Sequence, residues 1–474
     1  MNAPSIFLFI PCLAAVLAYS FFPRHPRLTI VLSAGLSALL AGTAAVIPLG
    51  ASLKILGFSL PVSNTLSFLG RSFIFSPDFR PAMIFLYLSI AGLSGGSLAA
   101  PPNRHFLPVL LMVQGLLSAS LFIQPFLYAS FFLFLCVIFL SLLLSDASHP
   151  SSRGAVRWIA YSVLGTLFLL LAGSGLSLYS GTPVDPSKSQ PILLELCLGF
   201  GLLLSLPPFH FWLPDVVDDS PPYSVSVILS LFIGGVLFLM MRFLDGFAWL
   251  RQSPDVPLVF LLAGNGMCLV GSSLALFQSR LGRCVGYLSL SNLGVILLGL
   301  SIAGSVGMET TIVLLATRGF SLLVWGISFH SLRLKQASDR ISDLRGRAFS
   351  NPVAFSAALL SGLSLVGIPG LFSFPPVWAV VRSLSSSSPL APQTAFSQLA
   401  IIFSMAAGIL SLYRFARPMM QVPLAFTLSR GGGRLFRVVL FASLFFFLFL
   451  GIFPQILVPL VSQVANAFPN LVSP

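Results

Sequence analysis

Apolar residues run along this chain in blocks of about twenty, the length that crosses a roughly 30 Å hydrocarbon layer as a helix, and polar residues gather between the blocks. Read in order, the blocks predict about fourteen spans: 3–22, 28–49, 80–101, 106–124, 125–145, 154–180, 190–206, 221–243, 256–278, 284–304, 309–331, 352–380, 395–418 and 434–460. Two of them carry internal breaks. The first is PPFHFWLPD, Pro207 to Asp215, and the second is GIPGLFSFPP, Gly367 to Pro376. Proline removes a backbone donor and clashes with the preceding turn, so Pro207, Pro208 and Pro369 predict helix ends or kinks. In hydrocarbon the freed backbone groups persist only where protein or a water-filled cavity satisfies them, which makes a broken helix a functional suspect. The longest other connection, Gly50 to Phe79, alternates and is rich in turn residues, and predicts a small external β-hairpin.

Composition sharpens this into a class. Hydrophobic residues make up 56% of the 474 positions and charged residues 8%, with a mean hydropathy of +0.98; no water-soluble core needs that much apolar surface. The expected fold is all-α and polytopic, with two inverted five-helix units, spans four to eight and nine to thirteen, each with one broken helix, the seventh and the twelfth. Residues 1–105 then hold three N-terminal helices and the hairpin, 106–250 the first unit, 251–420 the second and 421–474 the last helix.

A net charge of +13 invites a nucleic-acid reading, but the placement of the charge argues against it. Seventeen of the 25 lysines and arginines fall in loops after odd-numbered spans, among them Arg153, Arg157, Arg280, Arg283, Arg333 and Lys335, and seven fall on the other side. The positive-inside rule places the odd loops in the cytoplasm and both termini outside. The N-terminus has no basic region ahead of its first apolar run, so no cleaved signal is expected. Cys12, Cys136, Cys197, Cys268 and Cys284 lie in or beside apolar runs without a CxxC pair and read as small core residues. The chain also lacks a nucleotide-binding loop and a haem-like histidine spacing, so no cofactor or metal is expected within it.

Few ionisable groups lie inside the spans. Arg318, in LLATRGFSLL, reads either as an electrostatic gate or carboxylate partner, or as a guanidinium bonded to carbonyls or lipid headgroups. Its pKa exceeds about 12, so it does not carry protons as a lysine can. Glu195 is one of two glutamates and reads as interfacial or as part of a proton relay. His210 is expected either to satisfy backbone groups freed by the prolines or to titrate in a relay. Asp215, after Pro214, reads as a helix cap, and Asp218 and Asp219 as part of a solvated loop. Tyr287, Ser289, Ser291 and Asn292 form a polar stripe that either holds water or packs helices.

Four segments together resemble the antiporter-like membrane subunits of respiratory complex I, a family related to Mrp cation antiporters and membrane-bound hydrogenases. They are PFHFWLPDVVDDSPPYSVSVILS, SRLGRCVGYLSLSNLGVILLGL, ISDLRGRAFSNP followed by SGLSLVGIPGLFSF, and the external segment ending in SPDF. The resemblance covers residues 80–460 and is closest to the N-type or M-type subunit. It implies a place beside other membrane subunits of a complex I-like or hydrogenase-like assembly in a bacterial cell membrane, with redox cofactors in partner chains. It also implies a buried line of lysines and glutamates, and here the sequence departs. The positions where the family has a glutamate, two lysines, and a lysine or glutamate fall at or near Phe134, Leu203, Gly234 and Val377, and the family histidine is Asn292. The only lysines are Lys54, Lys188 and Lys335. Three functions remain in view: a proton-translocating subunit, a subunit that has lost pumping and is structural, and a stand-alone transporter or lipid-handling protein.

Overall fold

The computed structural model describes residues 2–50, 52–55, 58–68, 70–100, 103–144, 152–178, 186–333, 340–386, 391–421, 433–466 and 468–472. Leu56, Gly57 and Lys335 lie outside them. Ten helices among these residues are long and apolar enough to cross a membrane, beginning with Ala3–Phe21 and Pro26–Val46 and ending with Arg434–Ile452. The other four predicted spans are also helical but shorter: Ala82–Gly96, Phe106–Phe122, Gln190–Leu203 and Pro352–Val366. The last span, expected to reach residue 460, stops at Ile452; a turn at Pro454–Leu457 leads into the separate helix Val458–Ala465.

The loop from Gly50 to Phe79 forms two antiparallel hairpins rather than one. Ser52–Ile55 pairs with Phe58–Pro61, and Thr65–Phe68 pairs with Arg71–Ile74. Ile123–Gln124 joins the second hairpin as a third strand, tying it to the end of helix Phe106–Phe122.

Burial sorts the helices into a centre and a rim. The run 222–244 is buried throughout, and Leu281–Leu300 nearly so. Arg434–Ile452 and the two N-terminal helices expose large apolar side chains such as Leu13, Leu39, Phe441 and Phe445, as helices bordering hydrocarbon do. Asp255–Phe277 lies against Leu281–Leu300 closely enough that the crossing requires glycine. A Cβ on Gly264 would stand 2.8 Å from the Gly294 carbonyl oxygen, and one on Gly294 2.6 Å from that of Gly264. Small residues allow this approach where no hydrophobic effect drives helices together.

Both proline-rich segments interrupt helices. Pro186–Leu203 ends before Ser205, which has φ of 63° in the left-handed region, and a single 3-10 turn, Phe209–Phe211, leads into the short helix Trp212–Asp219. Pro352–Val366 ends at Gly367, where φ is 86°; Gly370 has φ of 85°, and a new helix begins at Phe374. Only glycine takes such angles without steric cost.

Candidate functional site

Helix Leu281–Leu300 is the spine of the site. At its first turn Arg280 and Arg283 both donate to Oδ2 of Asp218, Arg280 at 2.7 Å, and the Asp218 side chain is only 5% exposed. Arg333 donates to the carbonyls of Asp218 at 2.6 Å and Ser220 at 3.1 Å. Asp218 is therefore the buried centre of a charge cluster, not part of a solvated loop. Asp219 is also engaged, accepting the Gly154 N–H at 3.2 Å. Asp215 lies in the first turn of Trp212–Asp219 but does not cap it; its carboxylate pairs with Arg157. The short helix delivers these three aspartates because Pro214 sits in its first turn, where a missing N–H costs nothing.

His210 lies beside this cluster, 6% exposed, stacked on Phe211 at 4.7 Å and 6.3 Å from the Tyr287 ring. Around the prolines Leu206 N–H donates to Gly201 at 2.8 Å and Phe209 N–H to Leu206 at 2.6 Å, and the His210 ring makes no hydrogen bond to the backbone among the described residues. His210 Nδ1 is buried without a partner, so the expectation that this ring satisfies the backbone is replaced by one of an apolar-packed imidazole. Burial holds its pKa below that of an ordinary histidine. The unfolded chain thus binds a proton here at higher pH than the folded one. The stability contributed by neutral His210 is complete above the unfolded value and declines as pH falls through it. Acid-side destabilisation of the purified protein is expected to weaken in His210→Gln, read as the denaturation midpoint against pH.

Two turns further along the spine a group of buried polar side chains surrounds Arg318, whose side chain is 1% exposed on helix Ser305–Arg333. Its Nε and Nη2 both donate to the Leu229 carbonyl, at 3.2 and 3.1 Å. Its Nη2 also reaches Ser289 Oγ at 2.9 Å, and Nη1 donates to the Ser289 carbonyl and to Asn292 Oδ1 at 3.5 Å. Leu229 accepts because Ile228–Phe232 is a single π-helical turn. The Ile233 N–H, which would serve Leu229 in a regular α-helix, goes instead to Ile228 and Ser230. Asn292 completes the other end, donating Nδ2 to the Leu365 carbonyl at 2.9 Å. In an uninterrupted helix that carbonyl would be served by residue 369, which is a proline without an N–H. Beside it Ser321 donates to Ser364 at 2.9 Å, and Ser373 bonds the Ser364 carbonyl.

Arg318 and Asn292 thus bridge two carbonyls orphaned by helix irregularities, one at a π turn and one at a proline. The fully buried cation serves the Leu229 carbonyl directly, and Asn292, which it contacts at 3.5 Å, serves that of Leu365. Among the described residues no carboxylate is within ion-pair distance of the cation. Of the sequence candidates, His210, Tyr287, Asn292 and Arg318 fall along one spine. Glu195, half-buried on helix Pro186–Leu203, makes no hydrogen bond or ion pair with them among the described residues. The positions expected to carry charge are occupied by buried apolar groups at Leu203 and Val377. Leu229, Ser364 and Ser373 were not singled out in the sequence. The run ILSLF carries no breaker that announces a π turn, whereas the serines flanking Gly367 were a usable signal.

Residues 118–404 match the family described as NADH:quinone oxidoreductase/Mrp antiporter, transmembrane. The chain belongs to this family. It is an integral, multi-pass membrane protein of the antiporter-like type. Among relatives, it is 27% identical over 282 residues to NAD(P)H-quinone oxidoreductase chain 4 2 of Thermosynechococcus vestitus, covering 54% of this chain and 49% of that one. It is 26% identical over 354 residues to NADH-quinone oxidoreductase subunit N of Halorhodospira halophila, covering 70% and 72%. Against the first of these the match spans about half the relative's length. Antiporter-type folds match along nearly the whole chain. A chain of respiratory complex I from Thermus thermophilus superposes with a TM-score of 0.80 at 22% identity, covering 100% of both chains. A chain of the archaeal membrane-bound sulfane sulfur reductase superposes at 0.81 and 15% identity, covering 99% of this chain and 97% of that one.

Proposed function

We propose that this antiporter-family chain is a transmembrane subunit of a complex I-type or related membrane assembly and contributes to proton translocation, with Arg318 as a fixed positive charge and not as a proton carrier. The observation that carries the reading is the series of polar side chains ranged along helix Leu281–Leu300, from the Asp218 cluster past His210 and Tyr287 to Arg318, Asn292 and Ser364. A guanidinium stays charged where an ammonium would lose its proton, so Arg318 sets a standing electrostatic barrier against cations in a low-dielectric interior. Proton movement past it then relies on hydroxyls and transient water, with His210 as the titrating group at one end. The relatives are quinone-oxidoreductase subunits by name and the matching solved chains come from multisubunit complexes, which supports partner membrane subunits here too. In this reading the fourteen segments all span, in two inverted five-helix units at 106–250 and 251–420, with both termini outside and electron-transfer cofactors in other subunits.

A second reading, a structural subunit that no longer pumps, is favoured by one feature: the line holds no lysine and no carboxylate at its centre. Replacing Glu195, His210 and Arg318 together, as glutamine, phenylalanine and methionine, distinguishes the two. Proton uptake per electron transferred by the intact assembly in sealed vesicles is expected to fall while electron transfer persists. An unchanged ratio, with the assembly intact, supports the structural reading instead.

A further inference from the structure

Gly92, Gly234 and Gly319 sit on the helices Arg80–Gly96, Ile233–Gly246 and Ser305–Arg333. Where their side chains are missing, a cavity of about 340 Å³ opens between the three helices, within the usual size of a small-molecule site. The space is real at each wall. A Cβ on Gly319 would meet nothing within 4 Å, one on Gly234 would meet only Leu315 at 3.7 Å, and one on Gly92 only Leu323 at 3.6 Å. Helix Val458–Ala465 closes one side with Leu460 and Val464.

Water is a poor occupant, because it needs two to four polar partners. The cavity offers three polar side chains: Ser89, Ser230 and Gln463. Ser89 spends its hydroxyl proton on the Phe85 carbonyl at 2.8 Å and Ser230 on that of Ser226 at 2.5 Å, and Gln463 is exposed at the rim. An empty void of this size forfeits the dispersion contacts of its whole lining. The cavity is continuous with the outer apolar surface through Leu88, which lies mid-helix and is 49% exposed; at that depth in a membrane protein the surrounding medium is hydrocarbon.

We propose that this cavity seats a hydrocarbon chain, the acyl tail of a bilayer phospholipid, inserted past Leu88 between the three helices. Ser230 adjoins Leu229 in the π turn, and Gly319 adjoins Arg318, so the tail keeps one flank of the buried cation dry. The proposal does not depend on whether the chain pumps protons.

The test uses the full chain in nanodiscs of phosphatidylcholine carrying a photoactivatable diazirine at mid-chain, with labelled peptides located by mass spectrometry. Label is expected on residues 315–319, inside the bundle. Gly319→Leu, which fills the space, is expected to reduce that label at least about tenfold, equivalent to losing roughly 1.4 kcal/mol of occupancy. Gly35→Leu, on an exposed face where a Cβ also meets nothing within 4 Å, is expected to leave it unchanged. If Gly319→Leu does not accumulate, Gly92→Leu fills the same space from the opposite wall and decides in the same way. No label on 315–319 in the unmodified chain, or label that survives a cavity-filling variant, overturns the proposal.

Discussion

Arg318→Ala is expected to destabilise the folded chain by about 2–4 kcal/mol, the scale of one or two buried polar groups left without partners plus a partly collapsed cavity. The Leu229 carbonyl loses both of its side-chain donors, and the Ile233 N–H, its partner in a regular α-helix, bonds elsewhere. Asn292 loses its guanidinium contact while still holding the Leu365 carbonyl. Relief from desolvating a cation offsets part of the cost, which keeps the figure below that of a broken buried ion pair. Arg318→Lys is expected to recover less than half of the loss. An ammonium is one point with three donors and lacks the fork that reaches Leu229 and Ser289 from opposite sides. Denaturation midpoints in matched detergent check the magnitude, and hydrogen exchange checks the cause. In Arg318→Ala, exchange should quicken at 228–234, where the bonds to Leu229 are lost, and also at 365–371, where Asn292 loses the contact that positions it on the Leu365 carbonyl. Quickening at neither, or at one only, means that the bridge does not span the two irregularities.

Asp218→Ala is expected to cost about 2–3 kcal/mol, read in the same way. It leaves Arg280 and Arg283 side by side without their shared counter-charge. The carboxylate is almost fully buried, while the two arginines are 33% and 35% exposed. Water screens the abandoned cations in part, so the cost falls short of the 3–5 kcal/mol typical when a fully buried pair is broken. The neighbouring pair provides the contrast. Arg157 is 57% exposed, and Arg157→Ala is expected to cost less than about 1 kcal/mol. Equal losses from the two substitutions would mean that burial is not what separates the clusters.

The sequence made some parts of this legible and hid others, for physical reasons that differ by residue. The spans were readable because block length and hydropathy are set by the bilayer rather than by packing. The break at Gly367 to Pro369 was readable because positive φ and a missing N–H are properties of single residues. Arg318 stood out because a charge inside an apolar block is rare. Its partners did not, since Leu229 becomes an acceptor only through a π turn whose residues are ordinary helix formers. Asp218 read as solvated because nothing local tells that a short helix turns it under Arg280 and Arg283. Asn292, the family's histidine position, was visible as a substitution; that it serves the carbonyl orphaned by Pro369 required the tertiary structure. His210 read either as a partner for the backbone or as a relay group; that its Nδ1 lies buried without a partner beside Phe211 and Tyr287 required the tertiary structure.

The most direct test of the central claim, that this chain works as an antiporter-like subunit of a larger membrane assembly, is to purify it tagged from its own membrane in mild detergent and identify what accompanies it. The account predicts quinone-oxidoreductase, hydrogenase or cation-antiporter subunits at fixed stoichiometry. A folded, monodisperse chain that purifies alone and moves ions by itself in proteoliposomes would contradict it.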